Sequence, residues 1–152
     1  MEPIPFNKKW YSHKFHGPGV RYEVGVGVYN GYVVWVNGPF PAGEWTDAMI
    51  VRDSFLGHLC ADEVFIADGG YKGVEYCIMP GGWGHVINKQ ISKIRARHET
   101  VNRKFKEYKV IGDRSRHTQV QHGVYFRAVA NLVQIPLETT EGNWDMRYDV
   151  VL

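Results

Sequence analysis

Cysteine is scarce: Cys60 and Cys77 are the only two, too few for a disulfide framework, so both are read as reduced thiols. No uninterrupted apolar stretch approaches the roughly 18 to 20 residues that a membrane-spanning helix needs. The opening MEPIPFNKKW also lacks the apolar segment of a signal peptide. The expectation is a soluble intracellular protein, nuclear or cytoplasmic, with no membrane partner. Internal repeats, low-complexity tracts and linkers are absent as well, which leaves the 152 residues as one domain, 1–152. His13, His16, His58, Cys60, Cys77 and His85 form no C-x₂-C or H-x₃-H pair, and that argues against zinc. No serine carries the signature of a nucleophile elbow. Gly25, Gly27 and Gly31 imitate a dinucleotide-binding fingerprint, but they lie in and just after one strand that leads into another, with no helix N-terminus to receive a phosphate.

What is present is an ordinary globular balance, 44% hydrophobic and 22% charged, with one strong asymmetry. Between residues 89 and 117 stand Lys89, Lys93, Arg95, Arg97, Arg103, Lys104, Lys106, Lys109, Arg114 and Arg116, against Glu99, Glu107 and Asp113. That segment carries +7 of a chain whose net charge is +2, so the remainder is at −5. A phosphate backbone attracts such a block, because each neutralised phosphate releases condensed counterions. The alternative is a solvated helix face.

Hydrophobic patterning predicts a mixed order of elements. RYEVGVGVY and YVVWV flank Asn30-Gly31, the preferred chemistry of a two-residue type I′ hairpin turn. Tyr22, Val24, Val26 and Val28 alternate onto one face, whereas residues 32–36 are apolar on both, which predicts a second strand covered on both sides. Thr46 or Asp47 caps a helix expected to reach about Cys60, with Val51, Phe55, Leu56 and Leu59 as its core stripe. Residues 63–67 form a short strand that stops at Asp68-Gly69-Gly70-Tyr71, and MPGGWGH reads as loop. The strongest helix signal runs from about Val86 to Tyr108, with Ile87, Ile91, Ile94, His98, Val101, Phe105 and Tyr108 on one seam. A last helix is expected from about Val124 to Ile135, stopped by Pro136. Hairpin, helix, strand, helix, helix is an α/β or α+β order with a mixed sheet.

Two acidic residues stand out. Asp68 ends a short apolar strand before two glycines, a common position for a catalytic or metal-binding group. Asp-Gly is also ordinary turn chemistry. Glu99 borders the buried seam of the long helix, where it can equally pair with Arg95 or Arg103 at four residues' distance.

The strings WYSHKFHGPGVRYEVGV, VWVNGPFPAGEWTDAMIVRDS, IADGGYKG and IRARHETVNRKFK, in this order, resemble the DDE superfamily endonuclease domain of Harbinger-type transposases over nearly the whole chain. The resemblance implies an α/β, ribonuclease H-like mixed sheet flanked by helices. It also implies three acidic residues that hold divalent metal ions, Mg²⁺ or Mn²⁺, for phosphodiester cleavage. By position, Asp68 corresponds to the second acid and Glu99 to the third, as catalytic and metal-binding residues. Asp47 matches a recurrent acidic position and is read as structural. Lys93, Arg95, Arg97, Arg103 and Lys104 become the DNA-binding groups beside Glu99. In the family the first acid lies on a central strand ahead of the segment matching EPIPF, and that strand is missing from this sequence. The chain is thus expected to be an amino-terminally truncated copy or an incomplete gene model. It would have an incomplete triad and a gap between the strands at 21–29 and 63–67. DNA is the implied partner, with a separate Myb-like protein as a second. The activity read from this is metal-dependent DNA cleavage impaired by the absent acid. The rival readings are a non-catalytic DNA-binding or protein-interaction module and a non-functional relic.

Overall fold

The computed structural model describes residues 7–14, 16–113 and 117–139. Its most extensive pairing is the hairpin of β3 (Val20–Val26) and β4 (Val33–Pro41), antiparallel, with Val20 opposite Pro41 and Val26 opposite Val33. The turn is wider than the sequence predicts. Gly27 N–H donates to the Tyr32 carbonyl (2.8 Å) and Gly31 N–H to the Gly27 carbonyl (2.9 Å), so residues 28–31 all lie in the loop. Gly31 takes the left-handed φ of 72°, but Asn30 does not join it; its side chain accepts from Tyr32 N–H instead (3.0 Å). The type I′ expectation fails because the Val28 and Tyr29 carbonyls are claimed from outside the hairpin, as described below.

Ahead of the hairpin, β1 (Tyr11–Ser12) and β2 (Gly17–Pro18) form a two-residue antiparallel ladder where the sequence suggested irregular chain. After it, α1 (Asp47–Asp53) begins at Thr46, whose side chain accepts from Met49 N–H. The helix is shorter than expected. At Ser54 the backbone leaves helical geometry, and a 3₁₀ turn, Phe55–His58, follows. The Ser54 hydroxyl donates back to the Ile50 carbonyl and accepts from Asn37 Nδ2, competing with the helix ladder at that point. Ile50 and Val51 are buried, while Phe55, Leu56 and Leu59 are half-buried.

The strand expected at 63–67 is β5 (Phe65–Ile66), and it pairs parallel with β6 (Cys77–Ile78), a strand the sequence reading did not assign. Phe55 joins this pair to the hairpin: its ring meets Trp35 of β4 at 5.3 Å and Phe65 of β5 at 5.4 Å, both edge-on. Among the described residues, β3 pairs only with β4 and β5 only with β6. The second hairpin strand is not covered on both faces either, since Val34 remains 64% exposed.

Helix α2 (His85–Lys106) matches its expected span, then the short α3 (Lys109–Gly112) leads to α4 (Gln119–Thr139). Pro136 does not stop α4: it lies inside the helix. A proline forfeits one backbone hydrogen bond, but Val133 and Leu137 on either side are buried in the core, and that burial carries the helix through. The core joins Val101 and Phe105 of α2 to Phe126, Val129, Ala130, Val133 and Leu137 of α4, against Tyr22, Val24, Val33 and Val36 of the hairpin. Phe126 lies flat on Tyr22 (centroids 3.7 Å apart) and stacks on Phe105 at 5.0 Å. Gly123 lets α4 approach the hairpin, since a Cβ there would meet Pro39 Cδ at 2.9 Å. No helix of the described residues is long and apolar enough to cross a membrane.

Candidate active site

Parallel pairing decides where Asp68 sits. Because β5 and β6 run in the same direction, the segments that follow them, Asp68–Tyr71 and Met79–Gly84, leave the same end of the pair. Asp68 is exposed, and its Oδ1 accepts from Gly70 N–H (2.9 Å), capping the 3₁₀ turn Gly69–Tyr71. The turn-forming role weighed from the sequence is therefore present, and the carboxylate still faces solvent.

Asp47 comes close to it. At the first residue of α1, Asp47 Oδ1 pairs with Arg21 of β3 at 2.7 Å, and its Oδ2 turns toward Gly70. A Cβ on Gly70 would lie 3.1 Å from Asp68 Oδ1 and 3.4 Å from Asp47 Oδ2, so the two carboxylates flank this glycine. The same cluster surrounds Tyr71. Burial pushes the Tyr71 hydroxyl well above the usual phenol range, and the carboxylates of Asp47, Glu23 and Asp68 push it further.

Glu23 is a group that sequence reasoning missed. It is 9% exposed, on β3; Oε2 accepts from Trp35 Nε1 (2.6 Å) and Oε1 is buried with no hydrogen-bond partner. Burial raises its pKa above the ordinary carboxylate value; the Trp35 hydrogen bond opposes this and the Asp47 charge adds to it. A glutamate in an alternating strand reads as a solvent-facing residue, so the pattern YEVGV holds no signal for its burial. The one available clue is that Trp35 is a donor that needs an acceptor.

Glu99 lies on α2, exposed, and makes no ion pair with Arg95 or Arg103. Its direction is set by its two predecessors, which grip the hairpin. Arg97 is 5% exposed and donates to the Val28 carbonyl (2.6 Å) and the Tyr29 carbonyl (3.2 Å). His98 Nε2 donates to the Val24 carbonyl (2.9 Å), while its Nδ1 accepts from Asn102 (3.3 Å). Arg97, one of the residues expected to bind DNA, is therefore buried, with its guanidinium engaged by the hairpin loop. The other basic residues keep solvent access: Lys93 and Arg103 are exposed, Arg95 and Lys104 half-buried. Arg114 and Arg116 lie outside the described residues.

A family model described as DDE superfamily endonuclease matches residues 3–135. The chain belongs to that family. Comparison with curated proteins and with solved structures gave no match. Membership implies a transposase-like nuclease lineage, with DNA as the class of substrate. DDE endonucleases generally use divalent metal ions, and the carboxylates of Asp68 and Glu99 are the hard oxygen donors such ions require. Asp68 Oδ1 is engaged by Gly70 N–H, and among the described residues no group of three or more His, Cys, Asp or Glu side chains is arranged to hold a metal. What the structure brings together is Asp68 with Asp47, beside Tyr71 and Glu23.

Proposed function

We propose that this DDE-family domain is of Harbinger type, derived from a transposable element, and engages DNA through the open face of α2 next to Asp68 and Glu99. The family match over residues 3–135 carries this reading. Asp68 at the carboxyl end of β5 and the basic residues Lys93, Arg95, Arg103 and Lys104 of α2 support it. In this reading the fold is ribonuclease H-like, and a further strand belongs between β3 and β5, each of which has a single strand partner among the described residues. Asp68 and Glu99 act as the second and third acids. The cation, Mg²⁺ or Mn²⁺, is under-liganded by two carboxylates, so the 152 residues taken alone bind DNA without cleaving it efficiently. A nuclear or cytoplasmic setting and a separate Myb-like protein for site recognition complete the proposal.

Lys and Arg on a helix face give binding that tolerates sequence and weakens with salt, since affinity tracks the number of phosphates neutralised. Replacing Arg103 and Lys104 by Ala is expected to flatten the slope of log K against log salt by roughly one to two units. An unchanged slope would return this face to solvent. Nicking of a supercoiled plasmid in Mn²⁺ that is lost on Glu99→Gln would show a complete site and overturn the claim of impairment. The second reading, a DNA-binding or protein-interaction module without catalysis, rests on the basic residues of α2 that keep solvent access, Lys93, Arg95, Arg103 and Lys104. It predicts the same salt slope with no nicking under any metal.

A further inference from the structure

Tyr29, Tyr76 and Trp83 are exposed aromatic residues, at 71%, 60% and 49%. Only Trp83 lies at the end of the molecule that carries Asp68. Tyr29 is in the hairpin loop, its carbonyl taken by Arg97. Tyr76 precedes β6 and so stands at the opposite end of the parallel pair, whereas Trp83 follows β6, in the segment that leaves the pair on the same side as Asp68.

The loop that holds Trp83 is glycine-rich yet tied down. Asn88, in the first turn of α2, accepts from Gly81 N–H (3.0 Å) through Oδ1 and donates through Nδ2 to the Trp83 carbonyl. Trp83 Nε1 donates to the Met79 carbonyl (3.1 Å), which fixes the indole by its edge. Around it the space is open: a Cβ on Gly81, Gly82 or Gly84 would meet no atom within 4 Å. Half of a large aromatic surface is therefore left in water on a loop whose hydrogen bonds already fix its orientation, so little ordering is needed when a flat partner arrives. Lys89 and Lys93, both exposed, follow on α2, one and two turns beyond the loop.

We infer that Trp83 is a stacking platform for an unpaired nucleobase of the DNA bound along α2, so that the domain prefers DNA with a single-stranded extension or an opened base pair. The inference rests on the proposed engagement of DNA and deepens it by naming the state of the substrate. A planar π-face with phosphates one step away is what recognises a base in single-stranded nucleic acid, and the interaction tolerates sequence because every base has such a face. The lysines supply the phosphate contacts and the indole supplies the base contact.

The test compares a blunt duplex with the same duplex carrying a short single-stranded tail, by fluorescence anisotropy over a salt series, using the full chain. The unaltered protein is expected to bind the tailed duplex more tightly, and Trp83→Ala to lose about ten-fold of that affinity. Its blunt-duplex affinity and salt slope should stay in place, because no charge is removed. Trp83→Phe keeps a π-face without the indole N–H and should retain most of the preference, which separates stacking from damage to the loop. Equal affinity of Trp83→Ala and the unaltered protein for the tailed duplex, with the salt slope intact, would overturn the inference and leave the DNA reading standing. No binding of either DNA by the unaltered protein would overturn both.

Discussion

The hairpin side of the molecule and the side that carries Asp68 are held by different means. On the hairpin side, long helices bury Val101, Phe105, Phe126, Val133 and Leu137 against β3 and β4, and the contacts join residues distant in sequence. On the other side, β5 and β6 are two residues each, and between residues 59 and 84 only Val74 is buried. That region is held by turns, caps and edge-on ring contacts such as Phe55 with Phe65 and Phe65 with Tyr71. The thinly packed side carries Asp68, the Gly70 turn and Trp83, all exposed, whereas the exposed Glu99 follows the two residues of α2 that grip the hairpin. The contrast teaches that the apolar core fixes the rotation of α2, while the loops at the carboxyl ends of β5 and β6 are left accessible to a ligand.

The strongest way to break the contrast is to cut one ring from each side. Phe126→Ala should cost about 3–5 kcal/mol in chemical denaturation, because it empties a site shared by Tyr22 and Phe105. Phe65→Ala, half-buried at an edge, should cost roughly 1 kcal/mol. Equal losses would mean that the core is continuous across both sides.

A smaller effect is expected from the two arginines that the sequence placed together. Arg97→Ala leaves the Val28 and Tyr29 carbonyls without this donor and should destabilise by roughly 1–3 kcal/mol. Arg103→Ala should change stability by less than about 0.5 kcal/mol while weakening DNA binding. If Arg97→Ala left stability intact, its burial would not be what holds α2 on the hairpin.

Two buried groups, His122 of α4 and Glu23 of β3, should also respond to pH in opposite directions. His122, buried in the core with Nδ1 2.7 Å from the Tyr22 hydroxyl, has its pKa lowered by burial and by nearby His117. The unfolded chain therefore binds the extra proton more readily, and this stability is full above about pH 6.5 and lost as pH falls through the folded-state value. Glu23 has its pKa raised by burial, so the folded state holds the proton more tightly. Its contribution is full below about pH 4.5 and falls as pH rises through the folded-state value. His122→Asn should remove the first dependence in thermal melts across pH 5 to 8, and Glu23→Gln should raise the melting temperature at neutral pH by a few degrees. A melting temperature that falls at pH 7 on Glu23→Gln would contradict the burial of an uncompensated charge.

The smallest stability effects belong to the acids themselves. Asp68→Asn keeps the acceptor for Gly70 N–H and Glu99→Gln is exposed, so both should stay within about 0.5 kcal/mol of the unaltered protein. If they share a cation, each should weaken Mn²⁺ binding measured by water relaxation; identical relaxation in all three proteins would reject the pairing.

Local chemistry was legible where the determinant is local. The 85–106 helix follows from its apolar period, the start of α1 from Thr46, and the turn at Asp68-Gly69-Gly70 from residues that favour it. Asp68 and Glu99 were nameable because the motifs around them resemble a family, not because periodicity distinguishes a catalytic acid from a solvated one. Burial of charge was not legible: Arg97 and Glu23 look like surface residues in any window of sequence. Arg97 is buried because loop carbonyls 68 and 69 residues away need a donor, and Glu23 because an indole N–H across the ladder needs an acceptor. The wide hairpin turn and the passage of α4 through Pro136 have the same origin, since distant partners outweighed a local preference. Sequence alone determined the long helix α2, the start of α1, the basic block and membership of the DDE endonuclease family. Tertiary structure decided which charges face water and which acids are neighbours, because hydrogen-bond satisfaction and apolar burial are settled between residues that no local pattern relates.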